Sequence, residues 1–159
     1  MRPRIRHSLV LLALVALGCG GGGSGGSQAS GTVSVRDSGL GKILVDDSGR
    51  TLYLFERDAG RSACEGACAK AWPPLIAHGR VSAGDGVTAN LLGTVKRPDG
   101  TREVTYAGHP LYRFSGDKGA GDVNGQGSDA FGAEWYVLAP SGRKVEHEPA
   151  KKPSSRYGY

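Results

Sequence analysis

The chain has 159 residues, with 20 Lys+Arg against 15 Asp+Glu, room for one domain with a core and too little for two ordinary ones. Glycine supplies 27 residues, more than twice the usual share of about 7%, and that density argues against a helical bundle. The apolar fraction of 38% is too high for a wholly disordered chain.

Much of the formal +5 charge sits at the N-terminus. Arg2, Arg4 and Arg6 precede an unbroken apolar run over residues 9–17, followed by Gly18 and Cys19. A charged start, a short apolar stretch and a small residue at the cut make residues 1–18 a secretory signal, too short to span a bilayer. Val15-Ala16-Leu17-Gly18-Cys19 resembles the bacterial lipobox, in which the Cys is acylated and becomes the first mature residue; Ala16 stands where Leu is commoner. Cleavage there removes three Arg and no acid, leaving 17 basic against 15 acidic residues, a net +2. With no Lys/Arg stripe interleaved with aromatics, nucleic acid is not an expected partner. The expected partner is a membrane, reached through lipid.

Residues 19–31 form the acylated Cys and a Gly/Ser tether (GGGGSGGSQASG after Cys19), whose flexible reach is about 20 Å. The folded domain is expected over residues 32–143, and residues 144–159, polar and Pro-containing, as a mobile tail. Inside the domain the period is two. Residues 42–46 (KILVD) and 51–56 (TLYLFE) flank Asp47-Ser48-Gly49-Arg50, a hairpin signal. Residues 65–71 (EGACAKA) are the one helical stretch, about two turns long. Residues 92–97 and 101–107 flank Pro98-Asp99-Gly100, a second hairpin. PLYRFS at 110–115 and WYVLA at 135–139 are further strands.

Overlaying the strands shows a duplication, with repeats at about 40–76 and 92–142. Leu52-Tyr53-Leu54-Phe55, with Asp58, matches Leu111-Tyr112-Arg113-Phe114, with Asp117. Each copy leads to a Trp-headed strand, at Trp72 and at Trp135. The fold expected is all-β, a pseudo-two-fold duplicated β-sandwich or small barrel with one short helix and halves face to face. Tyr and Phe two apart share a strand face, and an Asp just past the strand closes a turn, so the motif reads as core aromatics plus a capping carboxylate. The alternative is a pair of symmetry-related ligand sites, and burial of Tyr53 and Tyr112 separates the two.

On these residues the chain resembles the bacterial secreted-repeat lipoproteins with a Y-x-[FWY]-x-x-D motif. Cys64-x-Gly66-x-Cys68-Ala69 before Trp72-Pro73-Pro74-Leu75, Leu92-Gly93-Thr94-Val95, Tyr106-x-Gly108-x-Pro110-Leu111-Tyr112 and Asn124-Gly125-Gln126-Gly127 extend the match. His109 departs from it, since an aromatic is common there. The resemblance implies an envelope location and no particular reaction.

Of the candidate chemical groups, Cys64 and Cys68 are an even pair once Cys19 is lipidated. Their i, i+4 spacing puts the Cα atoms about 6 Å apart, within reach of a disulfide. A redox-active pair or a copper site of Cys64, Cys68 and His109 remains open. Asp122-x-Asn124-x-Gln126-Gly127 partly mimics the start of a calcium loop, but its twelfth position is Ala133. No G-x-S-x-G elbow, Walker loop, H-E-x-x-H or dinucleotide fingerprint occurs, so an enzyme is not expected. The leading expectation is a lipid-anchored, non-catalytic binding or structural module of the cell envelope, without cofactor, whose partner is an envelope protein or small molecule. The alternative is an extracytoplasmic redox or metal-handling protein using Cys64 and Cys68.

Overall fold

A computed structural model describes residues 31–147, so the expected signal segment, Cys19 and nearly all of the tether lie outside the described residues. Eight strands follow in order, β1 (Val33–Ser38), β2 (Gly41–Asp46), β3 (Tyr53–Phe55), β4 (Leu92–Lys96), β5 (Arg102–Tyr106), β6 (His109–Pro110), β7 (Ser128–Ala130) and β8 (Ala133–Val137), with helix α1 (Ala67–Ala71) after β3. They form three small antiparallel sheets, β1-β2, β3-β8-β7 and β4-β5-β6. The all-β expectation with one short helix holds.

Two hairpins turn on residue pairs with positive φ, Ala107-Gly108 between β5 and β6 and Phe131-Gly132 between β7 and β8. That geometry matches the right-handed strand twist, and Gly supplies one of the two left-handed residues in each. The expected β4–β5 hairpin forms, with Leu92 opposite Tyr106 and Lys96 opposite Arg102. Asp99 accepts from the Thr101 amide at 2.9 Å and closes its turn.

Other expectations need correction. The Asp47–Arg50 turn forms, with the Asp46 amide donating to Arg50 at 2.9 Å, yet pairing beyond it is limited to one bridge, Val45 to Thr51, and one bond, Leu52 to Leu44. The ladder partner of β2 is β1, a strand not among those expected from the sequence; the partner of β3 is β8. The segment at Trp72 is not a regular strand. Pro73 and Pro74 have no N–H to give, so pairing is reduced to a bridge between Pro74 and Tyr112 and single bonds around it. The polar segment between Asp117 and Trp135, where no strand is expected, contributes β7. The folded part also ends later than residue 143: the Val145 amide donates to Val137 at 2.8 Å, and Val145 is buried.

The two repeats interlock. The Leu44 amide donates to Leu138 at 2.9 Å, and the pseudo-equivalent Val104 amide donates to Leu75 at 2.8 Å. Thus the Trp-headed segment of each repeat is hydrogen-bonded to strands of the other. At the pseudo-two-fold axis the amides of Tyr53 and Tyr112 each donate to the other's carbonyl, at 2.8 and 3.0 Å.

Strand β3 is buried on both faces. Tyr53 and Phe55 enter an aromatic core with Trp72, Tyr112 and Trp135, whereas Leu52 and Leu54 enter an aliphatic one with Leu44, Leu75, Val104, Leu111 and Leu138. In the aromatic core Trp72 and Trp135 stack at 4.0 Å between centroids and 5° between planes. Phe55 stacks on Trp135 at 4.1 Å and Phe114 on Trp72 at 4.3 Å, so each Phe caps the other repeat's indole. Tyr53 and Tyr112 meet the indoles edge-on, the geometry that ring quadrupoles favour.

Both indoles are almost wholly enclosed. Trp72→Ala and Trp135→Ala should therefore each cost about 3–5 kcal/mol in urea unfolding. The double variant should cost less than the sum by at least about 0.5 kcal/mol, because the rings stack on each other.

Candidate functional site

The six residues of the repeated motif converge at the axis, and their polar groups pair across it. The Tyr53 hydroxyl donates to Asp117 Oδ2 at 2.7 Å, and the Tyr112 hydroxyl donates to Asp58 Oδ2 at 2.8 Å. Each Asp begins in the same local turn, its amide donating to Phe55 or Phe114 of its own repeat. Its second oxygen caps a following loop, Asp58 Oδ1 accepting from Ala63 at 2.7 Å and Asp117 Oδ1 from Asn124 at 2.9 Å. Both tyrosines are 0% exposed, so neither ring offers a platform to a ligand.

Burial displaces these groups' proton equilibria. It raises both phenols far above their ordinary range, so neither ionises at physiological pH. The carboxyl of Asp58 is pushed up to about 6, chiefly by desolvation, against hydrogen bonds from Ala63 and Tyr112 that favour the anion. Asp117 is raised by desolvation too.

On one side of the axis the Tyr–Asp pair extends into a buried polar chain not anticipated from the sequence. The Tyr112 hydroxyl lies 2.9 Å from Ser62 Oγ, and Arg97 bonds to Ser62, to Glu103 Oε2 at 2.7 Å and to the Cys64 carbonyl at 2.7 Å. Arg97 and Glu103 are 4% and 0% exposed. Arg97 Nε and Glu103 Oε1 have no hydrogen-bond partner among the described residues. No alternation marked Glu103, because four consecutive residues of β5, Glu103 to Tyr106, are all buried. A hairpin Arg–Glu pair is ordinarily a solvated one, so nothing in the residues alone singles it out.

Cys64 and Cys68 form a disulfide with Cα atoms 5.2 Å apart, both residues buried. In this form neither presents a thiolate for a metal, and His109 has only its own ring to offer, its pKa lowered by burial. In the loop proposed for calcium, Asp122 Oδ2 accepts from the amides of Lys118 and Gly119, both at 2.8 Å, and these bonds hold its carboxyl below the usual range. Asn124 uses its backbone to cap Asp117. Among the described residues no three His, Cys, Asp or Glu side chains cluster as a metal site would require.

A family model described as a secreted repeat of unknown function matches the chain twice, over residues 34–76 and 93–139. The first match begins with β1, ahead of the repeat start expected near residue 40. No curated protein and no solved structure matches the chain.

Two outcomes follow from the site. The folded Asp58 carboxyl keeps its proton to about pH 6, whereas an ordinary one releases it near 3.8. Asp58 therefore contributes most below pH 3.8, and this contribution is lost as pH rises through about 6. The melting temperature should fall across that window, and Asp58→Asn should flatten the fall, as read by circular dichroism. Cys64→Ser, which opens a short loop, should cost about 2 kcal/mol in urea unfolding while leaving a cooperative transition.

Proposed function

The chain belongs to the Lipoprotein_15 family of secreted repeats, and from that premise we propose that it is a lipid-anchored envelope protein serving as a non-catalytic binding or structural module outside the cytoplasm. The observation that carries this reading is the fate of the repeated motif. Its two Tyr, two Asp and two Phe are engaged with the opposite repeat, in the hydrogen bonds and ring stacks of the axis. Residues consumed in joining the halves are not free to act on a substrate, so contact with a partner falls to the surface around them.

A secreted repeat fits an extracellular or envelope location, and the anchor is assigned to Cys19 within Val15-Ala16-Leu17-Gly18-Cys19. Acylation with two or more chains would hold the protein stably at a bilayer. The Gly/Ser tether would set the domain about 20 Å from it. The partners on this reading are the membrane through lipid and an envelope protein or small molecule at the domain surface, not nucleic acid.

In cells labelled with palmitate, the wild-type protein should carry label and sediment with membranes. Cys19→Ser should lose the label and its membrane attachment. A variant that stays in the membrane fraction would contradict the anchor.

A further inference from the structure

The buried polar chain ends at a surface pocket of about 380 Å³, between the loop after β3 and the β4–β5 turn. Arg57, Arg61, Lys96 and Arg97 line it together with Ser62, and no carboxylate does. Arg61 and Lys96 make no ion pair among the described residues, and Arg57 donates only to the Phe131 carbonyl, at 3.2 Å. Arg97 differs from the other three. Glu103, Ser62 and the Cys64 carbonyl fix its guanidinium, and its buried Nε faces Asp99 Oδ2 at 3.6 Å, so its charge is already paired and it forms the floor of the pocket.

Arg57, Arg61 and Lys96 remain as three exposed cations around one concavity with no carboxylate in its lining, and they repel each other unless an anion joins them. Guanidinium groups match the tetrahedral oxygens of a phosphate through paired N–H donors, and lysine adds a point charge. We propose that this pocket binds a phosphate-class anion, either free or as the headgroup of an acidic phospholipid. The inference deepens the binding-module reading by giving it a ligand class, and it does not depend on the anchor at Cys19.

The full-length protein, in non-ionic detergent at low ionic strength, is titrated by calorimetry with inorganic phosphate and separately with short-chain phosphatidylglycerol. Phosphatidylcholine of the same chain length controls for the tails. Saturable one-to-one binding is expected, with affinity reduced at least tenfold, about 1.4 kcal/mol, by Arg61→Glu and by Lys96→Glu. Both positions are exposed, so the melting temperature should stay at the wild-type value. Arg80→Glu, an exposed change of the same charge away from the pocket, should bind as wild type. Phosphate binding alone identifies a free anion, and binding of phosphatidylglycerol alone identifies the headgroup. The proposal is overturned if neither probe saturates, if the pocket variants bind normally, or if Arg80→Glu weakens binding as much as they do. Membrane attachment through Cys19, read by palmitate labelling, is unaffected by any of these results.

Discussion

The domain depends on a reciprocal arrangement in which each repeat completes the other. Tyr53 reaches Asp117 and Tyr112 reaches Asp58, while Phe55 covers Trp135 and Phe114 covers Trp72. The backbone follows the same exchange, since Leu138 and Leu75 each accept from a strand of the opposite half. A buried hydroxyl or carboxylate without a partner costs about 1–3 kcal/mol. A single repeat would leave its own Tyr and Asp unpaired and one face of its indole uncovered. Two copies in one chain satisfy both sets at once, and the short β strands, each too small to be stable alone, gain an interior from the crossing.

The duplication is symmetric at the axis and diverges away from it. Asp58 and Asp117 hold equivalent turns, yet the loops they cap differ in length and chemistry. After Asp58 comes a short segment pinned by the Cys64–Cys68 disulfide and helix α1. After Asp117 comes a longer polar stretch that folds through Asp122 and Gln126 into the β7–β8 hairpin. The first loop alone is backed by the Arg97–Glu103 pair. Desolvating two charges is offset only when further hydrogen bonds complete them, and here Ser62 and the Cys64 carbonyl do part of that. Glu103 Oε1 and Arg97 Nε stay without partners, which marks this half as the one not fully satisfied by its own fold.

This division assigns separate tasks to separate parts of the chain. Motif residues hold the halves together, and the dissimilar loops give each half its own surface. The basic pocket belongs to the loop after Asp58 and differs from the other pockets among the described residues, each of which has an acid in its lining.

Read along the chain, the residues determine a good deal without coordinates. Period-two alternation gives strands, glycine excludes long helices, and the recurrence of Leu-Tyr-x-Phe with a following Asp gives a duplicated domain. The four-residue spacing of Cys64 and Cys68 brings a disulfide within reach, although Cys64 lies ahead of helix α1 and not on the helical turn expected for the pair. What the sequence could not supply is the pairing. A strand's own residues state that it will be buried but not which strand lies beside it, and the β2–β3 hairpin expected from a good turn gave way to β1 and β8. The exchange of Tyr, Asp, Phe and Trp between repeats is likewise invisible, since identical motifs are equally able to pair within a copy or across it. Nor does a hairpin Arg and Glu reveal burial. Those choices rest on closing hydrogen bonds and filling volume among residues more than fifty positions apart, and only the folded chain resolves them.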